Sequence, residues 1–474
     1  MPWQDLREFI AKVEEIGELK RIDGADWDLE IGALTEVAAS MPKAPLLLFD
    51  NIKGYPQGYR VASTIQHSLN RTALILDLPM DMPSSERGRV LREKLRNIKP
   101  VSPVEVKDAP VKENILLGED VDLFRFPIPR WHELDKGRYI GTADMIIMRD
   151  PDTGVVQIGT YRVQAHNRNR AGSFIEPGKH GDLIRQKYWE RGQSCPVAIC
   201  VGQDPLLFAM ASSPAPIEYS EYEIAGYLRG KPIEVTRGEV TGLPIPAAAE
   251  IVLEGEIPPP SEEVHPEGPF GEWTGYYASG ERDEPVIRVK AILHRNDPII
   301  TGSSPLKVEI PGGGLGLLYA AFEWLSLERS GVTDLVGFMQ YGAAMAVIAV
   351  KQRYAGHGKR AAMAYLQNYR GASVRFAVAV DDDINVHDPR AVIWAIGTRC
   401  DPATALDVIQ HLPASAMDTR LSPEEREQGT STVARAVIDA CRPFEWRDQF
   451  PPVNVLSAKT REATIQKWGK LLGL

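Results

Sequence analysis

Leu6, Phe9, Ile10, Val13 and Ile16 recur at helical spacing, with Asp5 ahead of them as a cap and Gly17 behind them as a stop, so the spacing predicts an amphipathic helix. A second helix over Ile31 to Ala39, buried strands at Leu46 to Phe49 and Arg60 to Ser63, and helices at Leu69 to Leu78 and Ser85 to Asn97 complete a small α/β layer. Pro100, Pro103 and Pro110 then break the periodicity and mark a boundary. Beyond them the period shortens. Met145 to Arg149, the turn Asp152-Thr153-Gly154 and Val155 to Gln164 read as a β-hairpin. Strands follow at Val197 to Val201, Ile233 to Thr236, Ile251 to Ile257, Ile287 to Leu293 and Ile299 to Ile300, which makes the middle third a β-rich, barrel-like unit. Two helices interrupt it, at Asp182 to Arg191 and at Glu221 to Arg229, the second opened by a Ser220/Glu223 capping box. After the glycine cluster Gly312, Gly313, Gly314 and Gly316, helix and strand alternate again: Leu317 to Leu327, Ala346 to Val350, Arg360 to Gln367, Arg375 to Val380, Ala391 to Ile396. This predicts a second α/β domain.

Composition narrows the function classes. The 474 residues carry 54 Lys and Arg against 64 Asp and Glu, a net charge of −10, which argues against bulk nucleic acid or an anionic membrane as the main partner. The opening residues lack a signal-peptide pattern, and Ala343 to Val350 is far shorter than the ~20 apolar residues of a membrane span. Cys195, Cys200, Cys400 and Cys441 form no CxxC pair and no zinc spacing, so free thiols in a reducing cytoplasm are expected.

Three stretches could carry chemistry. In His265-Pro266-Glu267-Gly268-Pro269-Phe270-Gly271-Glu272 a Gly/Pro bend can aim both glutamates into one pocket. Two close acids do not both ionise cheaply, so one stays protonated and can donate while the other stays charged against a cation. Spacing alone equally suits solvated loop carboxylates. In Gln157-Ile158-Gly159-Thr160-Tyr161-Arg162 the arginine could pair with a carboxylate, or could be a surface-strand residue. Strict alternation puts residues 157 and 162 on opposite faces, so both reach one site only if the strand is distorted, and Gly159 is the natural place. Gln157, His180 and Glu221 offer oxygen and imidazole donors that suit Mg²⁺ or Mn²⁺ beside a phosphate. The run Asp381-Asp382-Asp383 could hold a metal, but reads more readily as a solvated strand end. The glycine cluster lacks a Walker lysine and reads as a loop.

Four of these segments together resemble the UbiD family of reversible, prenylated-flavin-dependent (de)carboxylases. Gln157 to Arg162 is similar to the family's N-x-x-x-x-R strand, and Ser220-Glu221-Tyr222 with Ala225 to Gly230 to its S-E-Y-x-x-A-G-x-L-R-G helix. Glu267 to Glu272 resembles the E-G-P-x-G-[ED] loop. Val380 to Asp383 with Val392-Ile393-Trp394-Ala395 and Thr398-Arg399 resembles the V-D-D-D and V-I-W-A-x-x-T-R pattern.

The resemblance implies an α/β (α+β) chain in three parts: an N-terminal α/β segment over 1–112, a split β-barrel binding prenylated FMN over 113–316, and a C-terminal α/β dimerisation domain over 317–474. It implies metal ligands at Gln157, His180 and Glu221, manganese being the usual ion, and a K⁺ site near Met210 to Pro214. Flavin contacts fall at Thr160, Tyr161, Arg162, Lys179 and His180, and the catalytic trio at Arg162, Glu267 and Glu272. In this reading Arg162 orients the substrate carboxylate, Glu267 holds Arg162, and protonated Glu272 delivers the proton that replaces CO₂. Also implied are a small carboxylic acid substrate, a flavin prenyltransferase as cofactor supplier, and a homodimer or larger homo-oligomer. One departure stands out: the family has Asn where this chain has Gln157, longer by one C–C bond. Two other readings are an FMN-dependent reductase on a related barrel, which leaves the two-glutamate loop unexplained, and an inactive cofactor-holding protein, which the intact Arg162, Glu267 and Glu272 oppose.

Overall fold

The computed structural model describes residues 1–216, 218–307, 316–342, 345–367, 374–428 and 432–473; Gly312, Gly313 and Gly314 lie outside them. The first helix runs over Leu6–Glu15, its N-terminal amides capped where the Asp5 carboxylate accepts from Glu8 N–H at 2.9 Å, and it buries Leu6, Phe9, Ile10 and Val13. Ile16 is its C-cap and Gly17 turns away at φ +72°. It packs with a four-stranded sheet ordered Leu19–Asp23, Leu46–Asp50, Arg60–Ser63, Ile299–Gly302. The last of these, which the sequence pattern groups with the barrel, instead pairs parallel to Arg60–Ser63. The expected strand around Ile233 likewise leaves the barrel: Glu234–Arg237 lies between Pro244–Pro246 and Val104–Glu105 in a small sheet of its own.

The central sheet has ten antiparallel strands along the path Arg138–Gly141, Val163–Ala165, Arg170–Ser173, Arg282–His294, Ile251–Ile257, Cys195–Val201, Met145–Arg149, Val156–Gly159, with Val264–Glu267 and Asn114–Leu117 also paired to the long strand Arg282–His294. The chain passes from the first strand of this path to its far end through Thr142-Ala143-Asp144, and returns through Thr160-Tyr161-Arg162. A three-residue link spans no more than about 14 Å. The two ends of the sheet therefore face one another, and the sheet curls into a half-barrel whose seam is crossed twice by the chain. One apolar cluster fills the curl around Tyr139, Ile146, Met148, Ile199, Leu253 and Phe270; another packs the outer face against the helices Pro205–Ala211 and Glu221–Arg229.

The helix Gly316–Arg329 leads into a five-stranded sheet ordered Leu335–Tyr341, Met345–Val350, Phe376–Asp381, Thr432–Ala440, Leu406–Pro413. Its three inner strands are parallel, and the helices His357–Gln367 and Pro389–Arg399 flank it. Leu335–Tyr341 escaped the sequence pattern because Gly337 shifts the register and breaks the alternation. All four cysteines are free, with Cys195, Cys200 and Cys441 buried. Among the described residues no helix is long and apolar enough to cross a membrane.

Candidate active site

The second arm of the predicted hairpin is not one strand. It pairs with Met145–Arg149 only over Val156–Gly159, and the chain then leaves the sheet at Thr160 and re-enters at Val163 on the other side of the seam. Gly159 is the last paired residue, and glycine is required there because a Cβ would lie 2.6 Å from the Tyr161 ring. Gln157 thus sits on a strand and Arg162 at the end of the crossing that follows it, instead of on two faces of one strand.

Arg162 is 9% exposed and donates to Glu267 from Nε at 2.8 Å and from Nη2 at 2.5 Å, a two-pronged pair with a carboxylate that is wholly buried. Its Nη1 forms an ion pair with Glu272, itself 5% exposed. The solvated-loop and surface-strand readings are both excluded. The loop reaches Arg162 because Gly268 takes φ +82°, where a Cβ would strike the Gly280 carbonyl oxygen at 2.4 Å. Gln164 Oε1 accepts from Gly268 N–H at 3.1 Å, and buried Asp135 accepts from Gly271 N–H at 3.1 Å.

Two further donors complete the trio: Tyr139 Oη donates to Glu267 Oε1 at 3.2 Å and Ser279 Oγ to Glu272 Oε1 at 3.1 Å. Burial first, and then the Glu267 charge, push the Tyr139 phenol well above its ordinary range, so it remains a donor. The rings of Phe174 and Phe270 lie 4.8 and 5.6 Å from the Arg162 guanidinium. Sequence reasoning missed Tyr139, Gln164 and Ser279. Gln164 was findable, two residues after Arg162 in the strand that the crossing leads into, whereas Ser279 comes from a loop without pattern.

The other candidate residues converge nearby. Glu221 starts its helix, is 5% exposed, and accepts from Ile158 N–H at 3.0 Å, so it lies beside the strand that carries Gln157. Burial raises its carboxyl to about 7. Gln157 Oε1 is buried without a hydrogen-bond partner. His180 is the first residue of the helix His180–Trp189, whose Gly181 N–H donates to Tyr161 Oη at 3.3 Å. Burial raises the Tyr161 phenol to about 12. Lys179 is the N-cap residue, with Glu176 3.9 Å from its Nζ. No group of three or more His, Cys, Asp or Glu that could hold a metal occurs among the described residues. This set is instead one amide on a strand with one imidazole and one carboxylate at the first turns of two helices. An unsatisfied amide oxygen and a buried acid beside helix N-termini fit a hard cation that shares its shell with a phosphate.

Of Asp381 to Asp383, the last two are exposed, as a solvated strand end would be, whereas Asp381 is buried, and the run forms no metal-holding group among the described residues. Asp381 is 1% exposed and accepts from Gln352, Arg399 and Arg442, while Asp383 takes both prongs of Arg399 at 2.8 Å.

The chain matches, in order, the profiles of the 3-octaprenyl-4-hydroxybenzoate carboxy-lyase N-terminal domain over residues 10–95, Rift-related domain over 102–307 and C-terminal domain over 315–440. It is 32% identical over 459 residues to a phenolic acid decarboxylase of Streptomyces sp. (strain D7), covering 94% of this chain and 93% of that one. Vanillic acid decarboxylase of Sedimentibacter hydroxybenzoicus in its closed form superposes with a TM-score of 0.86 at 28% identity, over 99% of both chains. An evolved dimeric form of the UbiD-class enzyme HmfF from Pelotomaculum thermopropionicum, in complex with prFMN, superposes at 0.81 with 28% identity over 97% of this chain and 98% of that one. Three matched domains on one curled half-barrel architecture identify this chain as a carboxy-lyase of the UbiD family.

Proposed function

We propose that this protein reversibly decarboxylates an aromatic carboxylic acid with prenylated FMN, heteroaromatic and α,β-unsaturated acids being the neighbouring classes. The carrying observation is the buried trio: one guanidinium against two carboxylates, which is neutral only when one acid holds a proton. Glu267 takes two prongs of Arg162 and a tyrosine hydroxyl, so it is the better stabilised anion. Glu272, with one contact to Arg162 and one hydroxyl donor, is the acid that carries the proton and delivers it to the carbon that lost CO₂. Arg162 orients the substrate carboxylate, and the aromatic walls of Phe174 and Phe270 favour a ring beside it. When bound, the modified flavin supplies an electron sink for the departing CO₂. Gln157, His180 and Glu221 would hold Mn²⁺ against its phosphate, Thr160, Tyr161, Arg162, Lys179 and His180 would contact it, and the Met210 to Pro214 stretch would lie near K⁺. The phenolic acid decarboxylase and prFMN-bound relatives support this reading.

We assign the supply of the cofactor to a flavin prenyltransferase, the assembly to a homodimer or larger homo-oligomer built on the domain from 317 to 474, and the setting to the cytoplasm. The test is co-expression with a flavin prenyltransferase, then the absorption spectrum and mass of the released cofactor and a screen of aromatic and acrylic acids for CO₂ loss. Exchange of labelled CO₂ into substrate is expected. A loaded protein that exchanges none with any of these acids overturns the proposal.

A further inference from the structure

Asp144 is wholly buried and belongs to neither the trio nor the metal set. It ends the first seam crossing, Thr142-Ala143-Asp144, and reaches the second. Its Oδ1 accepts from Thr160 Oγ1 at 3.4 Å, and the Tyr161 backbone N–H also bonds to its carboxyl. The crossing it belongs to is itself anchored, since the Ala143 carbonyl accepts from Gln203 Nε2 at 2.8 Å and from Thr301 Oγ1 at 3.2 Å. Strand register places it further. Ile146 faces Gly159 and Met148 faces Gln157 across the ladder, so the alternation continued back by two residues puts Asp144 on the side of the sheet that carries Gln157. Its second oxygen, Oδ2, is buried with no hydrogen-bond partner. Such an atom is costly in a native interior and calls for a partner, either a bound water or a ligand. Burial raises this carboxyl to about 8, so near neutral pH it carries a proton and can donate.

We propose that Asp144 is a cofactor-positioning residue: its Oδ1 clasps the Thr160-Tyr161 crossing to its own, and its Oδ2 donates a hydrogen bond to an acceptor on the flavin ring. This rests on the flavin reading above. The clasp also helps hold the break in the strand, because the Thr160 hydroxyl ties the second crossing to the first where the ladder has ended. Arg162, the next residue, is thereby held facing Glu267.

The test uses FMN itself as the probe, on the full chain, with affinity read from quenching of flavin fluorescence. Asp144→Leu keeps the branched shape, with bulkier methyl groups in place of both oxygens; its FMN dissociation constant should rise at least about tenfold. Asp144→Asn keeps an acceptor and a donor and should stay within about threefold. Independently, infrared difference spectra on FMN addition should show a protonated-carboxyl C=O band that shifts in the wild-type chain and is missing from Asp144→Asn. A folded Asp144→Leu that binds FMN as the wild type does overturns the proposal. So do identical difference spectra for wild type and Asp144→Asn, which keeps the test decisive if the leucine variant does not fold. A wild-type chain that binds no FMN at all overturns the flavin reading, and this inference with it.

Discussion

Two arginine–carboxylate clusters sit in this chain, and they differ in how many of their charges are buried. In the C-terminal sheet Arg399 and Arg442 face Asp381 and Asp383, and Asp381 is further saturated by the Gln352 amide and the Arg442 backbone N–H at 2.7 Å each. Only Asp381 of these acids is buried, while Asp383 and its neighbour Asp382 are exposed to water, so no proton is needed. In the half-barrel a single Arg162 meets Glu267 and Glu272, with only the hydroxyls of Tyr139 and Ser279 to help. The first cluster is a fastener. The second is one positive charge short, and in the proposed function that shortage is what would let it hold and release a proton.

The comparison breaks most visibly in activity. Glu272→Gln should lower turnover by about a thousandfold or more while flavin loading, read from the absorption spectrum, is kept. Asp383→Asn should leave turnover within about twofold. Next comes stability. Asp381→Ala strands two arginines and should cost about 3–5 kcal/mol, measured by urea unfolding, with little change in turnover of the folded fraction at low temperature. An Asp381→Ala chain that loses turnover but not stability would erase the distinction between the clusters.

A third site sharpens it through pH. The Asp144 carboxyl is raised to about 8 from an ordinary 3.8, so the folded chain keeps a proton there that the unfolded chain releases. Its contribution to stability therefore falls as pH rises from about 4 to about 8. Asp144→Asn removes that dependence and should melt about 5 °C above the wild type at pH 8, with the gap closing toward pH 4. The smallest effect is expected at the metal set. Gln157→Asn, scored by Mn²⁺ retained after dialysis against a chelator, should change affinity by about threefold, because the shorter amide needs only a small backbone shift to restore the donor.

Much of the fold was legible because its local signals agree. The first helix starts at its aspartate, the Ser220/Glu223 box opens its helix, and the first hairpin arm is a clean strand. The helix Pro205–Ala211 was not read, because it is buried on every side and has no amphipathic period to detect. The strands Leu406–Pro413 and Thr432–Ala440 were not read either; the first mixes exposed apolar residues with a register shift after Ile409. At the site, the glutamate spacing and the need for a distorted strand at Gly159 could be read, while Tyr139, Ser279 and Asp144 could not. Tyr139 and Asp144 act through contacts between segments far apart in order or across the seam, Ser279 through an irregular loop seven residues from Glu272, and no local period encodes them.

The strand Ile299–Gly302 has a practical consequence for anyone recombining these enzymes. It seals the outer border of Arg60–Ser63 with residues spelled out more than two hundred positions later. Cutting at the proline-rich junction near residue 110 would leave the amino-terminal piece with a sticky flank and the remainder with an orphaned ribbon, both prone to clump. Chimeras between relatives should carry this ribbon along with the front module, so that splice points follow the ladder of paired backbones and not reading order.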